Sequence, residues 1–360
     1  MKKYKVCVYA ICKNEEKFVN RWFQSMKEAD DIYVLDTGST DNTVDALKRL
    51  GVKVKEMKID PWRFDVARNE SLKLVPEDCD ICVCTDLDEV LKPGWRKVVE
   101  SLWKNGVNHI RYNYNWSLDK EDKPIVNFYI EKIHGRKNFV WIHPVHEVLK
   151  YTGNKEIFVT TDEITLNHYP DATKSRSSYL PLLELSVKED SDDDRNMHYL
   201  GREYMYYGRW NESIDTLIKH LKLKTATWKD ERCASMRFIA RCYQNLNRIE
   251  EARMWLDKAI EEAPYLRDPY MERALLEYKE QNWKDVEKYC LLALKIDKHQ
   301  KTYINEVFSW DNTVYDLLSL SCFYQQKYYE SLKYVKKALE MNPKDKRLQE
   351  NLKIIEDKIK

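Results

Sequence analysis

The chain has 360 residues, and its 61 Lys and Arg against 60 Asp and Glu give a formal net charge of +1. This length allows two hydrophobic cores, and so small a charge excludes a field that would recruit nucleic acid or an anionic membrane. The first apolar stretch is short and interrupted, so we expect neither a signal peptide nor a membrane span. Nine cysteines without a secretory signal are typical of reduced thiols in a cytoplasmic protein.

The first 85 residues alternate apolar strands with helical segments. Predicted strands are 4–11, 31–36, 52–57 and 80–85, and predicted helices are 17–26, 43–51 and 65–74. We expect Asp65 to cap the last of these helices. The alternation favours a mostly parallel sheet with helices on both faces, in which ligands bind beyond the carboxyl ends of the strands. Residues 108–170, rich in Tyr, Trp, Ile and Val, predict further strands and loops.

Three acidic residues follow the fourth predicted strand directly: Asp86, Asp88 and Glu89. Strand alternation places Asp86 and Asp88 on one side of the backbone, about 7 Å apart along it. Two hard oxygen ligands with that separation suit a Mg²⁺ or Mn²⁺ ion that also binds phosphate groups. Such acidic pairs are also common as solvated strand exits, so the pattern gains weight only from its neighbours.

Upstream residues place further polar groups at the same sheet edge. Asp36 ends the second predicted strand ahead of the turn at Gly38, and Arg63 and Arg68 accompany the third predicted helix. Guanidinium groups at this edge would suit a diphosphate. The sequence therefore predicts one edge at which both a cation and a diphosphate bind.

Residues 1–170 resemble a family 2 glycosyltransferase with the GT-A fold. The resemblance rests on the turn DTGSTDNT, the helix containing ARN and the segment TDLDE as a DxD motif, in that order. The family more often has two aspartates before the glycine, where this chain has Asp36 and Thr37. The resemblance implies a metal-dependent, inverting transfer of a sugar from a nucleotide-sugar, with UDP the favoured nucleotide.

The same resemblance implies roles for individual residues. Asp36 would contact the uracil or ribose, and Arg68, with Arg63 as a second candidate, would lie near the diphosphate. Asp86 would contact the ribose or the metal, and Asp88 would be the firmer ligand of Mn²⁺ or Mg²⁺. A divalent cation there would neutralise the charge that develops on the leaving nucleoside diphosphate.

The segment FVWIHPVHEVLKY, residues 139–151, contains the candidates for the catalytic base. Its histidines do not follow the H-E-x-x-H order of zinc proteases. Resemblance to relatives with helical repeats implies that this segment lies on the acceptor side, where inverting transfer needs a base. Glu147 and His146 are both open as that base. His168 resembles a histidine that completes the metal site in many GT-A domains, and a purely structural histidine is an equal alternative.

From residue 194 onward the pattern is helical and repetitive. Four repeats are predicted to start near Asp194, Cys233, Arg267 and Asn312. Small residues recur at fixed positions of these repeats, and two end in Pro, which resembles the tetratricopeptide repeat. The predicted division is a GT-A catalytic domain at 1–170, a connecting helix and linker at 171–193, and a repeat domain at 194–360.

A GT-A domain followed by such repeats resembles the peptide S-glycosyltransferases of the sublancin type. That likeness favours a peptide or protein acceptor over a polysaccharide, while the repeats themselves suit either acceptor binding or a homodimer. A second hypothesis is an inactive scaffold that binds a nucleotide-sugar and a peptide. The enzyme is favoured because each acidic and basic position that the chemistry needs is filled.

Overall fold

A computed structural model describes residues 4–171, 173–174 and 177–360. The chain folds into two compact units, Met1–Ser186 and Val187–Lys360. The division between them lies inside the segment 171–193, for which a connecting role is predicted. Each unit has its own hydrophobic clusters.

The first unit is built on an eight-stranded sheet and a two-stranded one. The strands are β1 (Val6–Cys12), β2 (Asp31–Asp36), β3 (Lys53–Glu56), β4 (Ile81–Thr85), β5 (Glu89–Leu91), β6 (His109–Leu118), β7 (Pro124–Gly135), β8 (Phe139–Ile142), β9 (Val148–Tyr151) and β10 (Phe158–His168). The helices are α1 (Glu16–Met26), α2 (Thr43–Arg49), α3 (Phe64–Lys73), α4 (Trp95–Leu102) and α5 (Tyr179–Glu189). The strand and helix order predicted for the first 85 residues is confirmed. The prediction that Asp65 caps α3 is wrong, because the helix begins at Phe64 and Asp65 lies in its first turn.

The larger sheet has the order β3-β2-β1-β4-β7-β6-β10-β5. Parallel pairing joins β3, β2, β1 and β4 in succession, and also β6 with β10, whereas β7 and β5 are antiparallel to their neighbours. The parallel part puts the carboxyl ends of the first four strands at one edge, as the α/β pattern predicts. The smaller sheet pairs β8 with β9.

The central strand β1 is buried along its whole length, which is why its sequence is apolar without alternation. Its residues nevertheless point to two different layers. Val8 packs in the same cluster as Trp22 of α1, whereas Tyr9 packs with Leu72 of α3 and Trp141 of β8. Both faces of the sheet are therefore covered, and its carboxyl edge is left to bear polar groups.

The second unit is helical. Its helices are α6 (Asp194–Tyr206), α7 (Trp210–Lys222), α8 (Lys229–Asn245), α9 (Ile249–Glu262), α10 (Asp268–Lys279), α11 (Trp283–Leu294), α12 (Thr313–Tyr324), α13 (Tyr328–Met341) and α14 (Lys346–Ile359), with a 3₁₀ turn at Val307–Ser309. Consecutive pairs from α6–α7 to α12–α13 correspond to the four predicted repeats. The connection after the third pair, residues 295–312, is long and contains the 3₁₀ turn.

Small residues at the repeat positions allow the paired helices to approach closely. A Cβ atom on Gly201 of α6 would lie 2.5 Å from the Leu217 side chain of α7. The hydroxyl of Ser213 donates to the Gly201 carbonyl at 2.7 Å. A small residue at this position is therefore required for the close approach of α6 and α7. Within the part of the chain that the structure describes, no helix has the length and apolarity needed to cross a membrane.

Candidate active site

The acidic segment after β4 forms a turn and does not continue the strand. The amide of Glu89 donates to the carbonyl of Asp86 at 3.0 Å, and the strand β4 ends at Thr85. The expectation that strand alternation places Asp86 and Asp88 on one side is therefore wrong, because the strand ends before Asp86. The turn sends the two carboxylates to different partners.

Asp86 is bound by two buried cations. Its Oδ1 accepts from Arg68 Nη2 at 2.6 Å and its Oδ2 from Lys132 Nζ at 3.1 Å. Burial alone would raise the pKa of the Asp86 carboxyl, but Arg68 and Lys132 hold it well below its usual range. Lys132 also donates to Glu89, whose pKa is raised by burial. Both oxygens of Asp86 are thus engaged by side chains of this chain, which favours a positioning or nucleotide-contacting role over metal ligation.

Asp88 lies beside His168 because β5 runs antiparallel to β10, with His168 opposite Glu89 in the register. The distance from Asp88 Oδ2 to His168 Nε2 is 3.4 Å. His168 Nδ1 donates to the carbonyl of Trp116 at 3.0 Å, and this bond directs Nε2 towards Asp88. Burial lowers the pKa of His168, but the Asp88 carboxylate outweighs it and the pKa is raised.

The Asp88 carboxylate and the His168 imidazole are both side chains of a kind that binds divalent cations. An imidazole that donates one N–H to a backbone carbonyl presents its other nitrogen as a metal-binding histidine does. When the ring is neutral, the lone pair of His168 Nε2 faces the Asp88 carboxylate, and that arrangement calls for a cation or a proton between the two atoms. Two protein ligands leave the remaining positions of Mn²⁺ or Mg²⁺ for phosphate oxygens and water.

A further acidic residue, Glu15, lies at the same edge. It follows β1, is 7% exposed, and forms an ion pair with Lys174. Burial raises the pKa of Glu15 to about 7, opposed by Lys174 and assisted by the charges of Asp88 and Asp86. Glu15 therefore lies at this edge with Lys174 as its counter-ion.

The base candidates lie in the turn between β8 and β9. Glu147 Oε1 accepts from Arg68 Nε at 3.0 Å, so a single guanidinium contacts both Glu147 and Asp86. His146 has a left-handed backbone, φ 52°, and its ring lies edge-on to that of Tyr179 at 5.7 Å. The carbonyl of Pro144 accepts from the amide of Phe64 at 3.0 Å, which ties this turn to the start of α3.

Asp36 and Arg63 are held mainly by neighbours in sequence, and the thiol of Cys12 on β1 also donates to Oδ2 of Asp36 at 3.4 Å. Asp36 is buried, and its Oδ1 accepts from the amides of Gly38 and Ser39 at 2.9 Å each. Arg63 pairs with Asp65 in the first turn of α3 at 2.9 Å. The structure joins Arg68, Asp86 and Glu147 through shared contacts and pairs Asp88 separately with His168. It gives Asp36 a part in forming the turn that follows β2.

Sequence reasoning missed Lys132 and gave Glu15 no role. Lys132 lies on β7 two residues before the buried His134, and β7 pairs with β4 so that Ile133 faces Val83. A largely buried lysine implies a carboxylate partner, but the partner follows only from the strand register. An open pocket of about 390 Å³ adjoins His168 and is lined also by Arg21, Asp119 and Tyr169.

Comparison with known proteins agrees with this architecture. Residues 7–158 match the family Glycosyl transferase family 2. The first unit carries a family 2 glycosyltransferase domain. Residues 238–265 and 313–345 match the tetratricopeptide repeat family. The fold class predicted from the sequence, a GT-A-like unit followed by repeats, is confirmed, and the family 2 domain supports glycosyltransferase activity.

Several similar solved structures each cover about half of this chain. MamA is 19% identical and the match covers 49% of this chain and 97% of that one, with a TM-score of 0.38. PilF of Pseudomonas aeruginosa is 15% identical over 47% of this chain and 70% of that one, with a TM-score of 0.38. YrrB, described as a tetratricopeptide-repeat protein with an unusual peptide-binding site, is 13% identical over 48% and 80%, with a TM-score of 0.36. Among curated proteins, a search found no match to the chain.

Proposed function

We propose that this glycosyltransferase is metal-dependent and inverting, and that it transfers a sugar from a nucleotide-sugar, with UDP the favoured nucleotide, to a peptide or protein. The observation that carries the proposal is the Asp88–His168 pair beside an Asp86 that two cations already hold. One sheet edge would thus carry both a site for a metal cation and the positively charged side chains of Arg68 and Lys132. We place the reaction in the cytoplasm, in keeping with nine free, buried cysteines.

Each side chain then has a distinct task. Asp88 and His168 would hold Mn²⁺ or Mg²⁺, which supplies positive charge next to the departing diphosphate. Arg68 and Lys132 keep Asp86 ionised and fixed, so that it can contact the ribose without rearrangement. The guanidinium of Arg68 contacts both Asp86 and Glu147. We expect the same guanidinium to lie near the diphosphate of a bound donor.

Glu147 is the base favoured by the geometry, with His146 as the alternative. The acceptor nucleophile loses its proton as its bond to the anomeric carbon forms and the bond to the diphosphate breaks. Glu147 qualifies because Arg68 holds it on the same guanidinium as Asp86. Glu147→Gln should therefore lower turnover at least about 100-fold, whereas His146→Gln should lower it less. The reverse order would assign the base to His146.

Asp36 and Arg63 complete the proposed donor site. Asp36 orders the turn after β2 through two backbone amides, and the nucleotide would lie against that turn. Asp36→Asn should raise the KM for the nucleotide-sugar while changing turnover less, because the contact is far from the reacting carbon. An equal fall in turnover at unchanged KM would contradict this placement. Arg63→Met tests in the same way whether that guanidinium reaches the diphosphate.

The decisive experiment is a screen of nucleotide-sugars with the purified full chain. Each candidate donor is incubated with Mn²⁺, with Mg²⁺ or with excess chelator, and release of the nucleoside diphosphate is measured. Metal-dependent hydrolysis of one donor supports the proposal. Hydrolysis unaffected by the chelator would refute metal dependence, and binding without hydrolysis of any donor would favour the scaffold hypothesis.

The acceptor is proposed from the repeats, which commonly present a surface to a peptide. Sugar transfer should be compared for peptide and polysaccharide acceptors, and light scattering on the full chain shows whether the repeats form a homodimer. A truncation ending at Glu189, the last residue of α5, should keep donor hydrolysis and lose transfer to the peptide. If a soluble truncation transfers as well as the full chain, the repeats do not recognise the acceptor.

A further inference from the structure

The second unit contains a group of metal-ligating side chains outside the proposed catalytic edge. Asp194 is the first residue of α6, His220 lies in the last turn of α7, and Glu231 lies in the first turn of α8. One ligand atom from each lies within 4.8 Å of the other two. The distance from His220 Nε2 to Glu231 Oε1 is 3.4 Å, with both side chains nearly inaccessible to water. The group therefore offers one nitrogen and two oxygens from three successive helices.

The orientation of His220 is set by a buried hydroxyl. Ser235 Oγ lies 2.9 Å from His220 Nδ1 and 2.7 Å from His198 Nδ1. A hydroxyl has one proton, so Ser235 donates to one ring and accepts from the other. Burial lowers the pKa of His198 to about 3, and this ring is therefore neutral at pH 7. Among the described residues, neither Nε2 atom has a hydrogen-bond partner.

Two arrangements of protons satisfy Ser235. If His220 Nδ1 donates to Ser235 and the ring is neutral, its Nε2 presents a lone pair directly at the Glu231 carboxylate, where a metal cation or a proton can bridge the two atoms. A metal-binding histidine has this arrangement, with its second nitrogen donating to a fixed acceptor. Otherwise Ser235 donates to His220, and Nε2–H points at Glu231 from 3.4 Å, which exceeds the usual N–H···O distance. The spacing suits an ion between the atoms better than a direct bond.

The carboxylates are held in a matching way. The hydroxyl of Tyr303 donates to Oε2 of Glu231 and leaves Oε1 to face His220. The carboxylates of Asp194 and Glu231 each offer an oxygen within 4.8 Å of the other, and two negative charges this close repel each other. A divalent ion would relieve the repulsion between the carboxylates.

We propose that Asp194, His220 and Glu231 bind a divalent transition-metal ion, Zn²⁺ by their donor set, between the first repeat and the start of the second. Three protein ligands of imidazole and carboxylate type suit Zn²⁺ with a water in the fourth position. Asp194 is only partly buried, and it gives the ion a route from solvent. Because the ligands come from α6, α7 and α8, the ion joins the first repeat to the start of the second. The site is independent of the proposed function.

The test measures bound metal on the full-length chain. All proteins carry Asp88→Asn, so that the catalytic edge does not add to the count. After chelation and dialysis against limiting Zn²⁺, elemental analysis should find about one ion per chain. Glu231→Gln keeps the side-chain shape and an acceptor for Tyr303, yet it should weaken Zn²⁺ binding more than about 100-fold. Ser235→Ala, which acts through the orientation of His220, should weaken binding about 10- to 100-fold.

Asp230→Asn is the matched control. Asp230 precedes Glu231, is also buried, and accepts a hydrogen bond from a tyrosine hydroxyl, that of Tyr265, at 2.6 Å. This variant should bind Zn²⁺ as the parent does. A parent that binds no Zn²⁺, or equal affinities for Glu231→Gln and Asp230→Asn, would overturn the proposal and assign a proton to the His220–Glu231 gap.

A second measurement covers the case in which Glu231→Gln fails to fold, which circular dichroism detects. Co²⁺ added to the folded Asp88→Asn protein should give visible d–d absorption that stoichiometric Zn²⁺ abolishes. Absence of that absorption would overturn the proposal without any change to the second unit.

Discussion

The two units each bury a network of ion pairs, and the networks differ in how many cations serve each carboxylate. In the repeats, Glu272 accepts from Arg237 at 2.8 Å and from Arg241 at 2.7 Å. Glu306 also forms ion pairs with both arginines. Every carboxylate of this pair therefore keeps a cation if either arginine is lost.

At the catalytic edge the assignment is mostly one to one. Glu89 pairs with Lys132 and Glu147 pairs with Arg68, and Asp86 is held by both cations. Removing one cation here leaves a buried carboxylate without a charge partner, which is costly in an environment of low dielectric constant.

The difference indicates what each network is for. The shared pairs of the repeats tolerate change, as suits a network that fastens neighbouring helices. The unshared pairs of the catalytic edge fix individual carboxylates at defined positions, as suits groups that must meet a ligand. Substitutions that remove one cation from each network test this comparison directly.

The largest effect is expected from Lys132→Met. Glu89 is 1% exposed and would lose its cation, so the free energy of unfolding should fall by about 3–5 kcal/mol. Urea unfolding of the full chain measures it. Lys150→Met, at an exposed lysine of β9, is the control and should change stability by less than about 0.5 kcal/mol. Adding Glu89→Gln to Lys132→Met should recover much of the loss, and no recovery would show that Glu89 is not the cause.

Asp88→Asn comes next, with kcat/KM for the nucleotide-sugar reduced at least about 100-fold, or roughly 2.7 kcal/mol in transition-state stabilisation. The amide keeps the size of the side chain but cannot supply the charge that a cation site needs. Asp60→Asn is the control, because Asp60 is largely exposed and pairs only loosely with Lys58 at 3.5 Å. Residual activity of Asp88→Asn above about a tenth would contradict the metal-site assignment.

Some features of the two units could be predicted from the sequence and others could not. The strand and helix order up to Thr85 followed from hydrophobic periodicity, and the repeat positions followed from small residues such as Gly201 and Ser213 that must fit between helices. The three acidic residues after β4 were recognised from the sequence. The turn that they form was not predicted, because hydrophobic periodicity does not show where a strand ends and a turn begins.

Residues joined by long-range pairing were beyond sequence reasoning. Lys132 reaches Asp86 only because β7 pairs with β4, and His168 reaches Asp88 only because β5 pairs with β10. His168 was suggested by the family resemblance, whereas Lys132 had no motif to mark it. Strand register is a property of the whole sheet, so a single sequence does not determine which side chains meet across it.

Acid should destabilise both units by a smaller amount. Burial lowers the pKa of His134 in the first unit and of His198 in the second, each to about 3. The unfolded chain has ordinary histidines of pKa ~6.5 and binds more protons below that pH, so stability falls as the pH drops from about 6.5 towards 3. At pH 5 each residue should cost about 2 kcal/mol relative to pH 8.

Urea unfolding at the two pH values checks this for the chain and for His134→Gln. The variant loses a bond from the Tyr9 hydroxyl and should be less stable at pH 8, but its loss between pH 8 and pH 5 should be smaller by about 2 kcal/mol. An unchanged loss would mean that His134 titrates in the folded chain. Each unit contains one such buried histidine. The loss of stability in acid is therefore expected in both units, whatever the redundancy of their ion pairs.

The smallest effect is expected from Arg241→Met, the counterpart of Lys132→Met in the repeats. Glu272 keeps Arg237 at 2.8 Å, and Glu306 is partly exposed and lies 3.5 Å from the same guanidinium. No buried carboxylate is left without a cation, so the free energy of unfolding should fall by only about 1 kcal/mol. Removing Arg237 as well should cost more than the sum of the two single substitutions, because the second loss strands Glu272. Additive losses, or a loss from Arg241→Met as large as that from Lys132→Met, would show that the two networks do not differ in redundancy.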